Sequence, residues 1–180
     1  DRGVTLERSI LITGGAGFIG SNLAKRALDD GHKVVIADNL LTGKEGNIPS
    51  GAEFVNMDLS VEEDYEKLSV YDIDTVFHLA AQSSGEISKY EPTLDIRSNA
   101  LGTFLILDWS YKKGVERFMY SSTMGIYGDV DKLPVTEATT CNPISFYGIT
   151  KLAAEHYVRH YSQMGLRTTS FRLFSVYGPG

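Results

Sequence analysis

The chain has 180 residues, of which 42% are apolar and 22% charged, and its formal net charge is −6. This length accommodates one ordinary domain, and the composition is typical of a globular protein rather than a disordered one. The acidic balance argues against nucleic-acid and membrane partners. The single cysteine, Cys141, excludes an intrachain disulfide and a multi-cysteine zinc site, and the four histidines lack metal-ligand spacing with carboxylates, so we expect no metal.

The two ends of the sequence carry no targeting signal. Residues 1–8 lack the charged-then-apolar order of a signal peptide, and no apolar run approaches the length of a membrane-spanning helix. We therefore expect a cytoplasmic protein. The chain does not begin with Met and ends on the turn-like residues 177–180, so we expect a fragment of a longer protein.

Short apolar runs alternate with helical patterns along the chain. In chain order, the sequence predicts a strand at 9–13, a helix at 18–28, strands at 33–37 and 53–56, a charged helix at about 60–69, a strand at 74–78, a long helix from Pro92 to Gly114, a strand at 116–121, a helix from 145 to about 164, and a strand at 167–173. Continuously apolar strands joined by helices predict an α/β domain with a doubly wound parallel sheet, which binds ligands at the carboxyl ends of its strands.

A glycine-rich turn follows the first strand, with glycines at 14, 17 and 20. Gly14 permits a tight turn, Gly17 allows the backbone to approach a pyrophosphate, and Gly20 allows the helix and strand to pack closely. The N-terminus of the following helix offers unpaired N–H groups to phosphates. This context predicts a dinucleotide site rather than a glycine turn without a ligand.

Asp38 ends the second strand, about 18 residues after Gly20. A carboxylate at this place accepts hydrogen bonds from a ribose 2′-hydroxyl and repels a 2′-phosphate. Asp38 therefore favours NAD over NADP as the cofactor, although Lys44 lies in the loop that follows.

Tyr147 and Lys151 are four residues apart and share one face of a predicted helix. A lysine ammonium near a phenol favours phenolate and lowers the pKa of the tyrosine. Such a phenol can exchange a proton with a substrate alcohol. The hydroxyls of residues 121–123 end the preceding strand, where one of them can hold the substrate oxygen.

Together, the motifs at 13–20, 38–43, 78–82, 99–103, 121–128, 147–151 and 172–179 resemble those of the extended short-chain dehydrogenase/reductases, and within them the NAD-dependent nucleotide-sugar epimerase/dehydratase family. The resemblance covers residues 8–180 and implies a Rossmann domain that binds NAD. It also implies a nucleotide-sugar substrate, and a smaller substrate domain that would follow residue 180. In this family, helices equivalent to 92–113 and 145–164 form a homodimer interface.

The resemblance also implies roles for individual residues. Thr123 would bind the reacting hydroxyl, Tyr147 would be the acid/base, and Lys151 would hold the nicotinamide ribose. The implied cofactor-binding residues, beside Tyr147 and Lys151, are Gly14, Gly17, Phe18, Ile19, Gly20, Asp38, Asn39, Thr42, Gly43, Asp58, Leu59, Leu79, Ala80, Ala81, Gln82, Asn99 and Phe174.

The residues after Thr123 favour one reaction within the family. Dehydrating and decarboxylating members usually place an acidic residue there, whereas this chain has Met124 and Gly125. This favours a C4 epimerase that acts by transient oxidation. The alternatives are an NAD(P)-linked nucleotide-sugar reductase or dehydratase, and a non-catalytic dinucleotide-binding module. The stretch 83–88 is more polar than the family pattern and suggests an altered substrate.

Overall fold

The structure, a computed structural model, describes residues 7–178. Most of the N-terminal stretch without a signal-peptide pattern and the last two residues of the predicted C-terminal turn lie outside this range. Six strands form one parallel sheet in the order β3-β2-β1-β4-β5-β6. The predicted doubly wound α/β fold is therefore confirmed.

The elements follow the predicted order closely. The strands are β1 Ser9–Thr13, β2 Lys33–Asp38, β3 Glu53–Asn56, β4 Thr75–His78, β5 Arg117–Thr123 and β6 Arg167–Leu173. The α-helices are α1 Phe18–Asp29, α2 Gly85–Tyr90, α3 Pro92–Asp95, α4 Gly102–Lys113 and α5 Phe146–Gln163. A π-helical turn, Ile96–Leu101, joins α3 to α4, so that one helix runs through residues 92–113 as predicted.

Two local features differ from the sequence prediction. The segment predicted as a helix at 60–69 forms a 3₁₀ helix, Glu62–Leu68, in which Asp64 turns back to accept the Asp58 N–H at 2.7 Å. The short helix α2 was missed because its polar sequence has no apolar period. It begins because the Ser84 hydroxyl accepts the Ile87 N–H and so caps its first turn.

The central strands β1, β2 and β4 are buried on both faces, as their apolar runs predict, whereas the edge strand β6 is mostly exposed. On one face, Leu11, Val76 and Phe118 pack in a cluster with residues of α4 and α5. On the other face, Ile10, Ile12 and Ile36 pack with residues of α1. Within residues 7–178 no helix is both long and apolar enough to cross a bilayer. The cytoplasmic location stays a prediction.

The strand order reverses at β1, which pairs with both β2 and β4. Thr13 is in register with Ala37 on one side and with His78 on the other. The glycine turn, Asp38 and the residues after β4 therefore leave the sheet at one edge, at the switch point where doubly wound folds bind ligands.

Candidate active site

The glycine turn is held in shape by steric necessity. Gly14 has a φ of +70°, and a Cβ there would lie 2.6 Å from the Ala80 nitrogen. A Cβ on Gly20 would overlap the Gly14 carbonyl oxygen and lie 2.7 Å from the Gly15 Cα. These contacts agree with the tight turn and the close helix–strand packing predicted for the two glycines.

The N-terminus of α1 has no acidic side chain that would compete with a bound phosphate. Its N-cap residue, Gly17, offers no side chain, and the first turn contains no acidic residue. The first N–H groups of a helix have no partner within the helix, and they carry its positive dipole end. This terminus is therefore suited to a pyrophosphate.

Asp38 also shapes the loop around it. Its two carboxylate oxygens accept the Ala16 N–H at 3.0 Å and the Leu40 N–H at 2.9 Å. A Cβ on Gly43 would lie 2.8 Å from the Ala16 Cβ and 3.0 Å from the Asp38 Oδ1, so the loop approaches this carboxylate closely. Each oxygen retains acceptor capacity for a ligand hydroxyl.

The fold brings Thr123, Tyr147 and Lys151 together in one cleft. Thr123 ends β5, and its hydroxyl accepts the Gly125 N–H at 3.1 Å. The first turn of α5 packs on this segment so tightly that a Cβ on Gly148 would lie 2.6 Å from the Gly125 carbonyl oxygen. Helix α5 therefore presents Tyr147 to Thr123.

The predicted lowering of the Tyr147 pKa was wrong for this structure. Burial raises the pKa of Tyr147, the hydrogen bond with Thr123 acts in the opposite direction, and the Asp95 carboxylate raises it further. The Lys151 ammonium group lies over the Tyr120 ring, 4.6 Å from the ring centroid.

The pKa of Lys151 is also shifted from its ordinary value. Its side chain is buried, and burial lowers the pKa of Lys151 from 10.5 to about 7, while Glu155 acts in the opposite direction. A buried ammonium is costly without a paired anion. A perturbed lysine in a cleft is typical of a functional site.

We expect the Lys151 ionisation to make the unliganded chain more stable as the pH rises above 7. Between pH 7 and 10.5 the unfolded chain binds this proton and the folded chain does not, so the free energy of unfolding should rise by about 1.4 kcal/mol per pH unit. Urea unfolding at a series of pH values measures this slope. Lys151→Met should flatten it, and an equal slope in that variant would contradict the assignment.

The cleft has a volume of about 870 Å³, the size range of small-molecule sites. It is lined by every residue predicted for cofactor binding or catalysis except one. The exception is Asn99, which is fully buried and bonds instead to the backbone N–H and carbonyl of Gln82 at 2.8 and 3.1 Å. Asn99 therefore supports the backbone of Gln82, which lines the cleft, without lining it itself.

A buried chain of hydrogen bonds supports the same wall. Burial lowers the pKa of His78 to about 3, so the ring is neutral. Thr103 donates to the Asn99 carbonyl at 2.6 Å and so accepts from the His78 Nε2 at 2.8 Å. The His78 Nδ1 then accepts from Thr13 at 2.7 Å.

The polar groups that line the cleft fit a dinucleotide. The open helix end suits a pyrophosphate, and the Asp38 carboxylate suits ribose hydroxyls. Lys151 and Tyr147 reach the opposite part of the same cleft. Among residues 7–178, no group of three or more His, Cys, Asp and Glu side chains is arranged to hold a metal ion.

Comparison with known proteins agrees with this geometry. Residues 10–180 match the model of the NAD dependent epimerase/dehydratase family. A putative UDP-glucose 4-epimerase of Methanocaldococcus jannaschii is 39% identical over 171 residues, which cover 94% of this chain and 56% of that protein. The chain thus spans about half the length of this relative.

Solved structures show the same likeness. The UDP-glucose 4-epimerase of Thermotoga maritima, solved with UDP-glucose, superimposes with a TM-score of 0.92 at 41% identity, over 95% of this chain and 57% of that one. The Thermus thermophilus enzyme in complex with NAD gives a TM-score of 0.88 at 39% identity, over 91% and 54% of the two chains. The chain belongs to the NAD dependent epimerase/dehydratase family.

Proposed function

We propose that this chain is the NAD-binding and catalytic domain of a nucleotide-sugar 4-epimerase, and that a substrate domain follows residue 180. The observation that carries the proposal is that Thr123, Tyr147 and Lys151 line the same cleft as the glycine turn and Asp38. The relatives named above are UDP-glucose 4-epimerases, which supports UDP-hexose as the substrate class. The proposed second domain agrees with their greater length.

The cofactor would lie across the switch point. The N–H groups of Phe18 and Ile19 would bind its pyrophosphate, and Asp38 would accept a ribose hydroxyl. Asp58 and Leu59 would flank the adenine, and Phe174 would lie beside the nicotinamide. Because Asp38 is anionic, NADP with its 2′-phosphate should bind more weakly than NAD.

The protein residues then perform the proton chemistry at C4 of the sugar. Bound NAD supplies a reversible hydride acceptor. Tyr147 removes the proton of the 4-hydroxyl and later returns it, while Thr123 holds the reacting oxygen. Lys151 binds the nicotinamide ribose, and its charge favours the phenolate of Tyr147 once it is directed into the cleft.

The segment after Thr123 favours epimerisation over dehydration. A dehydratase needs a further acid/base, and Met124 and Gly125 supply none. A Cβ on Gly125 would meet Thr123 Oγ1 at 3.5 Å and the Tyr147 ring at 3.9 Å, which are ordinary contacts. The backbone therefore tolerates a Cβ at this position, where the chain has glycine rather than an acidic residue.

The test separates the epimerase from its alternatives. The purified chain is denatured and the released nucleotides are identified by mass spectrometry; NAD or NADH without NADP is expected. Residues 1–180 extended by the proposed substrate domain should convert UDP-glucose to UDP-galactose without accumulating free NADH, whereas residues 1–180 alone should turn over poorly. Net NADH release would favour the NAD(P)-linked reductase, because hydride would then leave the sugar without returning to it. Robust turnover by residues 1–180 alone would contradict the need for a second domain.

We also propose a homodimer through the helices of residues 92–113 and 145–164. The proposal is supported by large apolar side chains that these helices expose, among them Ile96 at 57%, Phe104 at 39% and Tyr157 at 40%. The rings of Phe104 and Tyr157 lie 5.7 Å apart, so they form one patch across the two helices. Sedimentation should show a dimer, and a monomer at micromolar concentration would contradict the proposal.

A further inference from the structure

The peptide groups of Tyr147 are held by two side-chain hydroxyls. Its N–H donates to the Ser88 Oγ at 3.0 Å, and its carbonyl accepts from the Thr150 Oγ1 at 3.0 Å. Residue 147 lies in the first turn of α5, where N–H groups lack partners within the helix. Ser145 caps the Gly148 N–H, so Ser88, from the separate helix α2, caps Tyr147 itself.

Ser88 is held in turn by Asp95, which is fully buried. The Ser88 hydroxyl donates to one Asp95 oxygen at 2.5 Å, and the Gln82 Nε2 donates to the other at 2.6 Å. Within the described part of the chain, no Lys, Arg or His side chain forms an ion pair with Asp95. A buried carboxylate without a cation is a costly feature. Stabilisation by a salt bridge therefore does not explain it.

A second line of hydrogen bonds reaches Tyr147 from the same place. The Asn99 Nδ2 donates to the Gln82 carbonyl and, at 3.2 Å, to the Thr150 Oγ1. Asp95 precedes the π-helical turn and Asn99 lies within it. Such turns are often found at functional sites. Both lines begin at Gln82 in the cleft wall and end on the peptide groups of Tyr147.

We propose that Asp95, acting through Ser88, is a positioning residue that sets the Tyr147 phenol against Thr123. The inference rests on the proposed role of Tyr147 as the acid/base. Neither Asp95 nor Ser88 lines the cleft, so both act through Tyr147 and not on substrate. The polar stretch 83–88, which the sequence associates with an altered substrate, thus uses Ser84 to cap α2 and Ser88 to anchor α5.

Asp95 has a second effect that can be separated from the first. Its negative charge raises the pKa of Tyr147, whereas the Thr123 hydrogen bond lowers it. Loss of the Ser88 anchor removes only the positioning contact. Replacement of Asp95 by asparagine removes the charge and keeps an amide oxygen that can accept the Ser88 hydroxyl. The other ionisable groups around the phenol are Tyr120 and Lys151.

The first experiment compares Ser88→Ala with Ser110→Ala in the polypeptide that includes the proposed substrate domain. Ser110 is also fully buried, but its hydroxyl donates to the Ile106 carbonyl of its own helix, away from the site. Ser88→Ala should lower kcat by about tenfold to a hundredfold, as expected for a misplaced catalytic group. The KM for the nucleotide sugar and the Kd for NAD should stay within about twofold, because the cleft lining is unchanged. Ser110→Ala should leave kcat unchanged.

The second experiment needs no turnover and uses residues 1–180. The ¹³Cζ NMR signal of Tyr147, assigned by its loss in Tyr147→Phe, is followed as the pH is raised. Ser88→Ala should raise the pKa of Tyr147, because the phenol loses its alignment with Thr123. Asp95→Asn should lower the pKa of Tyr147, because the repelling charge is removed. Ser110→Ala should not move it.

The outcomes distinguish this inference from the proposed function. Full turnover and an unchanged Tyr147 signal in Ser88→Ala, together with an inactive Tyr147→Phe, would overturn the positioning role and leave the epimerase proposal intact. An active Tyr147→Phe would overturn the proposed acid/base instead. The NMR shifts of opposite sign would still show that Ser88 and Asp95 act on the Tyr147 phenol.

Discussion

Replacing Tyr147 by phenylalanine is expected to lower turnover by about a hundredfold to ten-thousandfold, the usual contribution of a general acid/base. Only the phenolic oxygen is removed, so the ring still fills its place between Thr123 and the body of α5. NAD binding should remain, because the glycine turn and Asp38 lie at the other part of the cleft. The measurement is kcat for UDP-glucose epimerisation beside the Kd for NAD.

Tyr157→Phe is the matched control, since Tyr157 lies on the same helix but outside the cleft. It should leave kcat unchanged. If Tyr147→Phe binds NAD normally and turns over at the parental rate, the acid/base assignment fails. The non-catalytic dinucleotide-binding module would then be the better account.

Gly20→Ala should strongly weaken NAD binding and also lower the stability of the chain. The new Cβ would overlap the Gly14 carbonyl oxygen. This oxygen is a backbone atom, so the clash cannot be relieved by rotating a side chain. Overpacking of this kind costs about 1–3 kcal/mol of stability. Displacement of the turn should also weaken NAD binding by about a hundredfold, equivalent to losing one or two charge-assisted hydrogen bonds. Calorimetric titration with NAD and urea unfolding measure the two effects.

Gly46→Ala is the control for this change. Gly46 lies in the loop after β2, and a Cβ there meets no atom within 4 Å. Its substitution should leave both NAD affinity and stability unchanged. Equal NAD affinity in Gly20→Ala and Gly46→Ala would contradict the placement of the pyrophosphate at the start of α1.

The strands and most helices could be predicted because local sequence determines them. The apolar runs 10–12 and 34–37 form the centres of β1 and β2, and Gly114 ends its helix in the left-handed conformation, with a φ of +74°. Helix α2 could not be predicted this way. It has only six residues and no apolar period. Its N-cap depends on the hydrogen bond from the Ile87 N–H to the Ser84 hydroxyl, which only the structure shows.

The convergence of the candidate residues on one cleft was predictable from the sequence, but their electrostatics were not. Motif spacing placed the glycine turn, Asp38 and Tyr147 correctly in one cleft, since parallel strands end at one edge. The pKa directions of Tyr147 and Lys151 are set first by burial, and motif spacing does not reveal how deeply a side chain is buried. Asp95 was missed because its partners, Ser88 and Gln82, come from separate segments. Its place four residues before Asn99 was the only available signal.

Transient oxidation at C4 fixes the fate of the hydrogen on that carbon, which an isotope label follows. UDP-glucose with deuterium at C4 is incubated with the chain extended by the proposed substrate domain, in ordinary water, and the product is analysed by mass spectrometry. Because the same hydride returns to C4, we expect UDP-galactose that retains the deuterium at C4. Product that has lost the deuterium to solvent, or a dehydrated 4-keto sugar in its place, would contradict it.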